Sequence, residues 1–133
     1  MANKERVRLL VDALRSGEFP QCTGRLGRID KSGKKGYCCL GVAIIIAARN
    51  GCDVLVEWID DELMVERAET DLLVSKVSEW YGFNSINPVI SYDNEEISEE
   101  YENSSFEAAE LNDSGIPFEE IANRFESVYI NDR

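Results

Sequence analysis

Apolar positions recur at helical spacing in several stretches of the chain. Val7, Leu10, Val11 and Leu14 follow the i, i+3, i+4, i+7 pattern, which predicts an amphipathic helix over residues 3–16. Asn3 is a suitable N-cap and Gly17 a suitable stop. Residues 38–49 are apolar nearly all round, interrupted by Gly41 and closed by Asn50-Gly51. Their length favours a buried helix over a strand, despite the β-branched residues. Such a helix belongs at the centre, with other elements packed around it. A helical period returns over 71–81 through Leu73, Val77 and Trp80, with Asp71 or Thr70 as cap and Gly82 as stop. Phe106 to Leu111 predicts a short helix stopped at Asn112-Asp113-Ser114-Gly115. Pro117 then sits in the first turn of a last helix, whose stripe is Phe118, Ile121, Ala122, Phe125, Val128 and Tyr129. These last two form an αα-hairpin.

The stretches between are of a different kind. Glycines punctuate residues 21–37, and Lys31-Ser32-Gly33-Lys34 reads as a turn between strands near 23–30 and 34–38. A second hairpin runs from Val54–Ile59 through Asp60-Asp61-Glu62 to Leu63–Arg67. Residues 84–105 read as a long acidic loop, with a short strand at Val89–Tyr92. The sum is one α+β domain over residues 1–133, with four to five helices packed on one or two short antiparallel β-hairpins.

Charge sharpens this picture. The 26 acidic and 14 basic residues give a net charge of -12, and there is no histidine. That balance argues against direct binding of nucleic acid or of an anionic membrane. The two signs are also segregated. Residues 1–49 hold ten cations and four anions, a balance of +6; the remainder holds four and 22, a balance of -18. No apolar run reaches the roughly 20 residues that span a bilayer. With no secretory signal in view, the expected compartment is the cytoplasm, and the four cysteines are expected to be thiols.

Candidate chemistry is sparse. Without histidine, the commonest general base and the commonest metal ligand are missing. Cys38 or Cys39 at a helix N-terminus would gain some activation, but cysteine is more often a buried structural residue. Cys22, Cys38, Cys39 and Cys52 are the right number for zinc at the wrong spacing, so no metal and no cofactor is expected. The acidic loop carries no EF-hand pattern. Trp58, Trp80, Tyr81 and Phe83 read as core. An enzyme is the least favoured class.

Two binding surfaces stay open. Arg25, Arg28, Lys31, Lys34 and Lys35, followed by Tyr37, place five cations and an aromatic on a glycine-rich hairpin able to hold a small nucleotide ligand. The plain alternative is a solvated or internally paired face. Asp60, Asp61, Glu62, Glu66 and Glu69, with Asp93, Glu95, Glu96, Glu99, Glu100 and Glu102 of the acidic loop, can imitate a phosphate backbone towards a basic partner protein. Here the plain alternative is solubility.

Three fragments carry a resemblance. They are Leu14-Arg15-Ser16-Gly17 leading to Gln21, then Gly36-Tyr37-Cys38-Cys39-Leu40-Gly41-Val42, and Leu111-Asn112-Asp113-Ser114-Gly115-Ile116-Pro117-Phe118-Glu119-Glu120-Ile121-Ala122. In this order the chain resembles a family of small proteins encoded by tailed bacteriophages and prophages. The resemblance implies a phage accessory protein in a bacterial host cytoplasm, and it implies no reaction. Its motifs have structural readings too: Gly41 for close helix packing, Asn112 to Gly115 for a tight interhelical turn. Together these features lead to the expectation of a non-enzymatic accessory protein that blocks a host protein, such as a nucleic-acid-handling or defence component, through its acidic surface. The alternative is a module that captures a nucleotide signal at hairpin 25–37.

Overall fold

The computed structural model describes residues 2–66, 72–91 and 107–131. Helix α1 (Lys4–Arg15) begins where Asn3 accepts the Arg6 N–H at 3.1 Å, and it buries Val7, Leu10, Val11 and Leu14 on one face. Helix α2 (Cys39–Arg49) is buried along almost its whole length and lies against α1 on one side. Cys38 is its N-cap: the sulfur accepts the Gly41 N–H at 3.3 Å. Gly41 is required by contact. A Cβ there would lie 1.9 Å from the Leu26 carbonyl oxygen, which also accepts the Cys38 N–H at 2.9 Å. The chain entering the sheet therefore rests directly on the helix backbone.

The two expected hairpins merge into one antiparallel sheet. Its strands are β1 (Gly27–Ile29), β2 (Lys35–Tyr37), β3 (Val56–Ile59) and β4 (Glu62–Val65), in the order β2-β1-β4-β3. The Arg28↔Glu62 pairing joins the hairpins. Strand β1 is shorter than the expected 23–30, because Gly24 turns with φ +78° and donates its N–H to Asp113 at 2.8 Å. The second hairpin turns on two residues, not three. Asp60 and Asp61 have φ 51° and 64°, the pattern of a type I′ turn, and Glu62 already pairs with Ile59. Gly27 lies under the Trp58 ring, 3.1 Å from where a Cβ would sit. The indole thereby crosses β1 to meet Tyr37 at 5.8 Å between centroids and the Lys35 ammonium at 4.9 Å.

Helix α3 (Ser75–Tyr81) starts later than the expected residue 71, and Thr70 and Asp71 lie outside the described residues. Leu73 is held in an extended segment by its N–H bond to the Ile86 carbonyl at 3.0 Å, so Val74 becomes the N-cap. Gly82, at φ +79°, stops the helix as expected. Of the predicted strand at Val89–Tyr92 the structure shows one bridge, Val89 to Glu107; Tyr92 and the acidic segment to residue 106 lie outside the described residues. Helix α4 (Ala108–Asp113) includes Asn112 and Asp113, so the reversal falls later, at Ser114-Gly115. Pro117 is the N-cap of α5 (Phe118–Phe125), one position before the helix instead of in its first turn. A π-helical turn (Glu126–Ile130) follows, and its extra residue rotates the apolar stripe: Ser127 is buried while Val128 and Tyr129 are half-buried.

One continuous core joins helices and sheet. Tyr81, fully buried, donates its hydroxyl to the Ala43 carbonyl of α2 and stacks on Phe83, which meets Phe125 and Tyr129. Trp80 lies under the Arg6 guanidinium at 4.4 Å. The aromatic residues thus serve the core and its margin, as expected. The π-helical turn is tied to α1 by Glu126, which takes Arg8 at 2.6 Å and Arg15 at 3.1 Å. Hydrogen bonding from Arg15 and then Arg8 lowers this carboxyl to about 2.

Gly41→Ala is expected to cost at least the upper end of the roughly 1–3 kcal/mol typical of overpacking, because the obstacle is backbone. Urea unfolding followed by circular dichroism measures this. The Glu126 clamp makes a separate prediction. Its folded pKa of about 2 lies below the ~4.3 of an unfolded glutamate. Its contribution is therefore present above that higher value and is lost as pH falls through the folded one. Solvent screening limits it to about 1 kcal/mol. Glu126→Gln should lower stability at neutral pH and flatten the loss of stability between about pH 4 and 2, as read from urea titrations across that range.

Candidate functional site

The segment before β1 forms one wall of a cleft. The Tyr37 N–H donates to the Pro20 carbonyl at 2.7 Å and the Cys22 N–H to the Tyr37 carbonyl at 2.8 Å, so residues 20–22 run along the outer edge of β2. The Cys22 side chain then passes beneath Gly36, whose missing Cβ would stand 3.0 Å from that of Cys22. Residues 20–23 and the β1–β2 hairpin enclose about 400 Å³, with Arg28, Asp30 and Lys34 at the margin and Gly36 among the lining.

The cations predicted on this hairpin divide into two groups. Arg28 and Lys34 line the cleft, and neither makes an ion pair among the described residues. Lys35 borders it, but its ammonium lies over Trp58. Arg25 pairs with Glu62 at 3.1 Å. Lys31 is exposed in the turn and does not line the cleft. Tyr37 is directed to the opposite face, its ring edge-on to Phe19, and burial raises its hydroxyl. Among the described residues, Asp30 is the one carboxylate that lines the cleft. It is held below the usual range by bonds from the Ser32 hydroxyl and the backbone N–H groups of Lys34 and Ser32. The turn thus absorbs much of its accepting capacity.

The predicted acidic surface is partly neutralised. Glu62 is taken by Arg25 and Glu66 by Lys76, at 2.8 Å. Asp60 and Asp61 stand exposed at the tip of the second hairpin. Glu69, Asp93, Glu95, Glu96, Glu99, Glu100 and Glu102 lie outside the described residues.

The cysteines have structural environments. Burial pushes Cys38 up to about 12 and Cys39 well above the ordinary thiol value. Cys22 and Cys52 are raised by burial as well. Among the described residues no group of three or more Cys, Asp or Glu is placed to hold a metal ion. No helix among them is long and apolar enough to cross a membrane.

The residue that builds the cleft wall was not singled out by the sequence pattern. Asn112, fully buried, accepts the Cys39 N–H at 3.1 Å and the Gln21 amide at 3.0 Å, and donates to the Cys22 carbonyl at 2.8 Å. Gln21 also donates to the Ile116 carbonyl at 2.8 Å. Within Asn-Asp-Ser-Gly these residues carry the signature of an exposed turn, which hides a buried junction. Gln21, Cys39 and Asn112, one from each of the three fragments quoted above, therefore meet in space.

A family model described as Domain of unknown function (DUF8296) matches residues 2–129. The chain belongs to this family. The match runs from the start of α1 into the π-helical turn, so cleft, sheet and Asn112 junction all lie within it. No curated protein and no solved structure matches the chain.

Asn112→Ala would leave the Cys39 N–H and the Cys22 carbonyl without their partner. The expected loss is roughly 2–6 kcal/mol, at about 1–3 kcal/mol for each buried group left unmatched. Chemical denaturation gives this value, and amide exchange at Cys39 and Cys22 shows whether the damage is centred on the junction.

Proposed function

We propose that this DUF8296 member is a non-enzymatic binding protein whose cleft takes a small phosphate-bearing ligand of the nucleotide type. One observation carries the reading: Arg28 and Lys34, unpaired among the described residues, face a concavity of about 400 Å³ whose lining includes Gly36. A guanidinium and an ammonium suit phosphate oxygens. Asp30 suits a hydroxyl donor such as a sugar. Binding without turnover is favoured by the missing histidine and by thiols displaced from reactive range. On the phage resemblance, such a protein acts in the cytoplasm of an infected bacterium by capturing a nucleotide signal. Blocking of a host protein by the acidic surface takes second place, because Glu62 and Glu66 are already paired. What favours it is the exposed Asp60-Asp61 tip.

Calorimetry against cyclic dinucleotides, ADP-ribose-type nucleotides and pyrophosphate tests the proposal. Binding should weaken with salt and fall about 10- to 100-fold in Arg28→Gln, the loss of a charge-assisted bond. Lys34→Gln should act in the same direction, and Arg25→Gln should change it little. Absence of binding across the panel, or binding indifferent to Arg28 and Lys34, would sink this reading.

A further inference from the structure

The far edge of the sheet carries a second surface, on different chemistry from the cleft. Strand β3 is the terminal strand in the order β2-β1-β4-β3. The phase of its ladder is set by the Glu66 N–H bond to the Leu55 carbonyl at 2.7 Å and by the register Glu57↔Met64 and Ile59↔Glu62. Opposed residues in an antiparallel pair alternate between bonded and non-bonded. Leu55, Glu57 and Ile59 therefore direct their backbone groups to β4, whereas Val56 and Trp58 direct theirs away from it. Neither of those two meets a backbone partner there among the described residues. The opposite edge differs, since residues 20–22 bond to Tyr37 of β2.

Side chains indicate what fits this edge. Leu55, just before β3, and Ile59, at its end, lie on one face and are 45% and 39% exposed, unusual for residues of that size beside an open strand. From Asn50 to Glu66 the chain has six carboxylates and no lysine or arginine. Asp60 and Asp61 remain exposed at the tip after Glu62 and Glu66 are paired. Lysine on an edge strand is a common guard against strand addition, and residues 54–59 contain none.

We propose that β3 accepts, by strand addition, an extended basic segment of a partner protein that alternates cationic and apolar residues. Backbone bonds to Val56 and Trp58 hold the segment, Leu55 and Ile59 take its apolar side chains, and Asp60 and Asp61 attract its cations. A second copy of this chain is the poorer occupant, because pairing β3 with β3 would bring acidic edges together.

Nuclear magnetic resonance of the full chain with a decapeptide of alternating lysine and valine tests this, with a glutamate and valine peptide as control. The lysine peptide should shift the Val56 and Trp58 amides and slow their exchange. Val56→Pro removes an outward N–H without removing a ladder bond, a placement that edge strands tolerate, and should weaken binding about tenfold. Asp60→Asn with Asp61→Asn should weaken it less and flatten its salt dependence. These results would support the proposal. It is overturned if the lysine peptide does not bind, if the acidic peptide binds equally, or if Val56→Pro leaves binding unchanged. Self-association of the chain abolished by Val56→Pro would overturn it too, by assigning the edge to a second copy. Nucleotide binding at Arg28 is not an arm of this test, so either proposal can fail alone.

Discussion

A single carboxamide holds the arrangement together. Asn112 is fully buried, and both ends of its amide are matched to groups remote in sequence. Its oxygen completes the N-terminus of α2 by accepting the Cys39 N–H, and its nitrogen fixes the Cys22 carbonyl. The net gain from such bonds is modest, but the cost of leaving any of these groups unmatched is larger. That asymmetry makes the junction specific. Only the observed placement of residues 21–22, α2 and α4 satisfies all three. Asp113, the next residue, holds the Gly24 N–H and so pins the far side of the same segment.

The sheet is placed by a second constraint that acts on the same segment. The Leu26 carbonyl lies where a side chain at position 41 would be, so β1 is brought onto α2 at the distance that glycine permits. Between the Asn112 junction and the Gly41 contact, residues 20–26 have little freedom. The cleft is a consequence of that. Its wall follows the outer edge of β2, and its depth beside Gly36 depends on Cys22 standing where Asn112 holds it. The binding surface is therefore built by the core and is not a property of the hairpin alone.

Much of this was legible from periodicity. The apolar stripes of α1 and α5, the all-round burial of α2 and the two hairpins follow from side-chain pattern, because local period and burial agree there. The need for glycine at position 41 was anticipated as close packing, although its partner was not. Pattern could not show that the hairpins share a sheet, since Arg28↔Glu62 is a pairing between distant segments. Nor could it show the later start of α3, where the Leu73–Ile86 bond overrides local period. Asn112 was hidden because the same four residues serve equally as an exposed turn and as a helix end with a buried amide. For the hairpin cations, spacing along the chain did not reveal facing: Arg28 and Tyr37 point to opposite sides of the sheet.

Charge shows most clearly how sequence and structure differ here. A chain split into a +6 portion and a -18 portion suggests a molecule with two opposed faces. Folding instead crosses the two portions, pairing Arg8 and Arg15 with Glu126 and Arg25 with Glu62. Among the described residues, Arg28 and Lys34 line the cleft without an ion pair, while Asp60 and Asp61 stand exposed at the tip of the adjoining hairpin, where the Asp61 carbonyl accepts the Ile29 N–H at 2.8 Å. There is no imidazole to titrate between about pH 5 and 8. Burial moves all four thiols upward, away from that window, while hydrogen bonds move the carboxyls of Asp30, Glu66 and Glu126 downward, also away from it. The thiols and these three carboxyls thus move away from neutrality in opposite directions, whereas burial raises the carboxyl of Glu107.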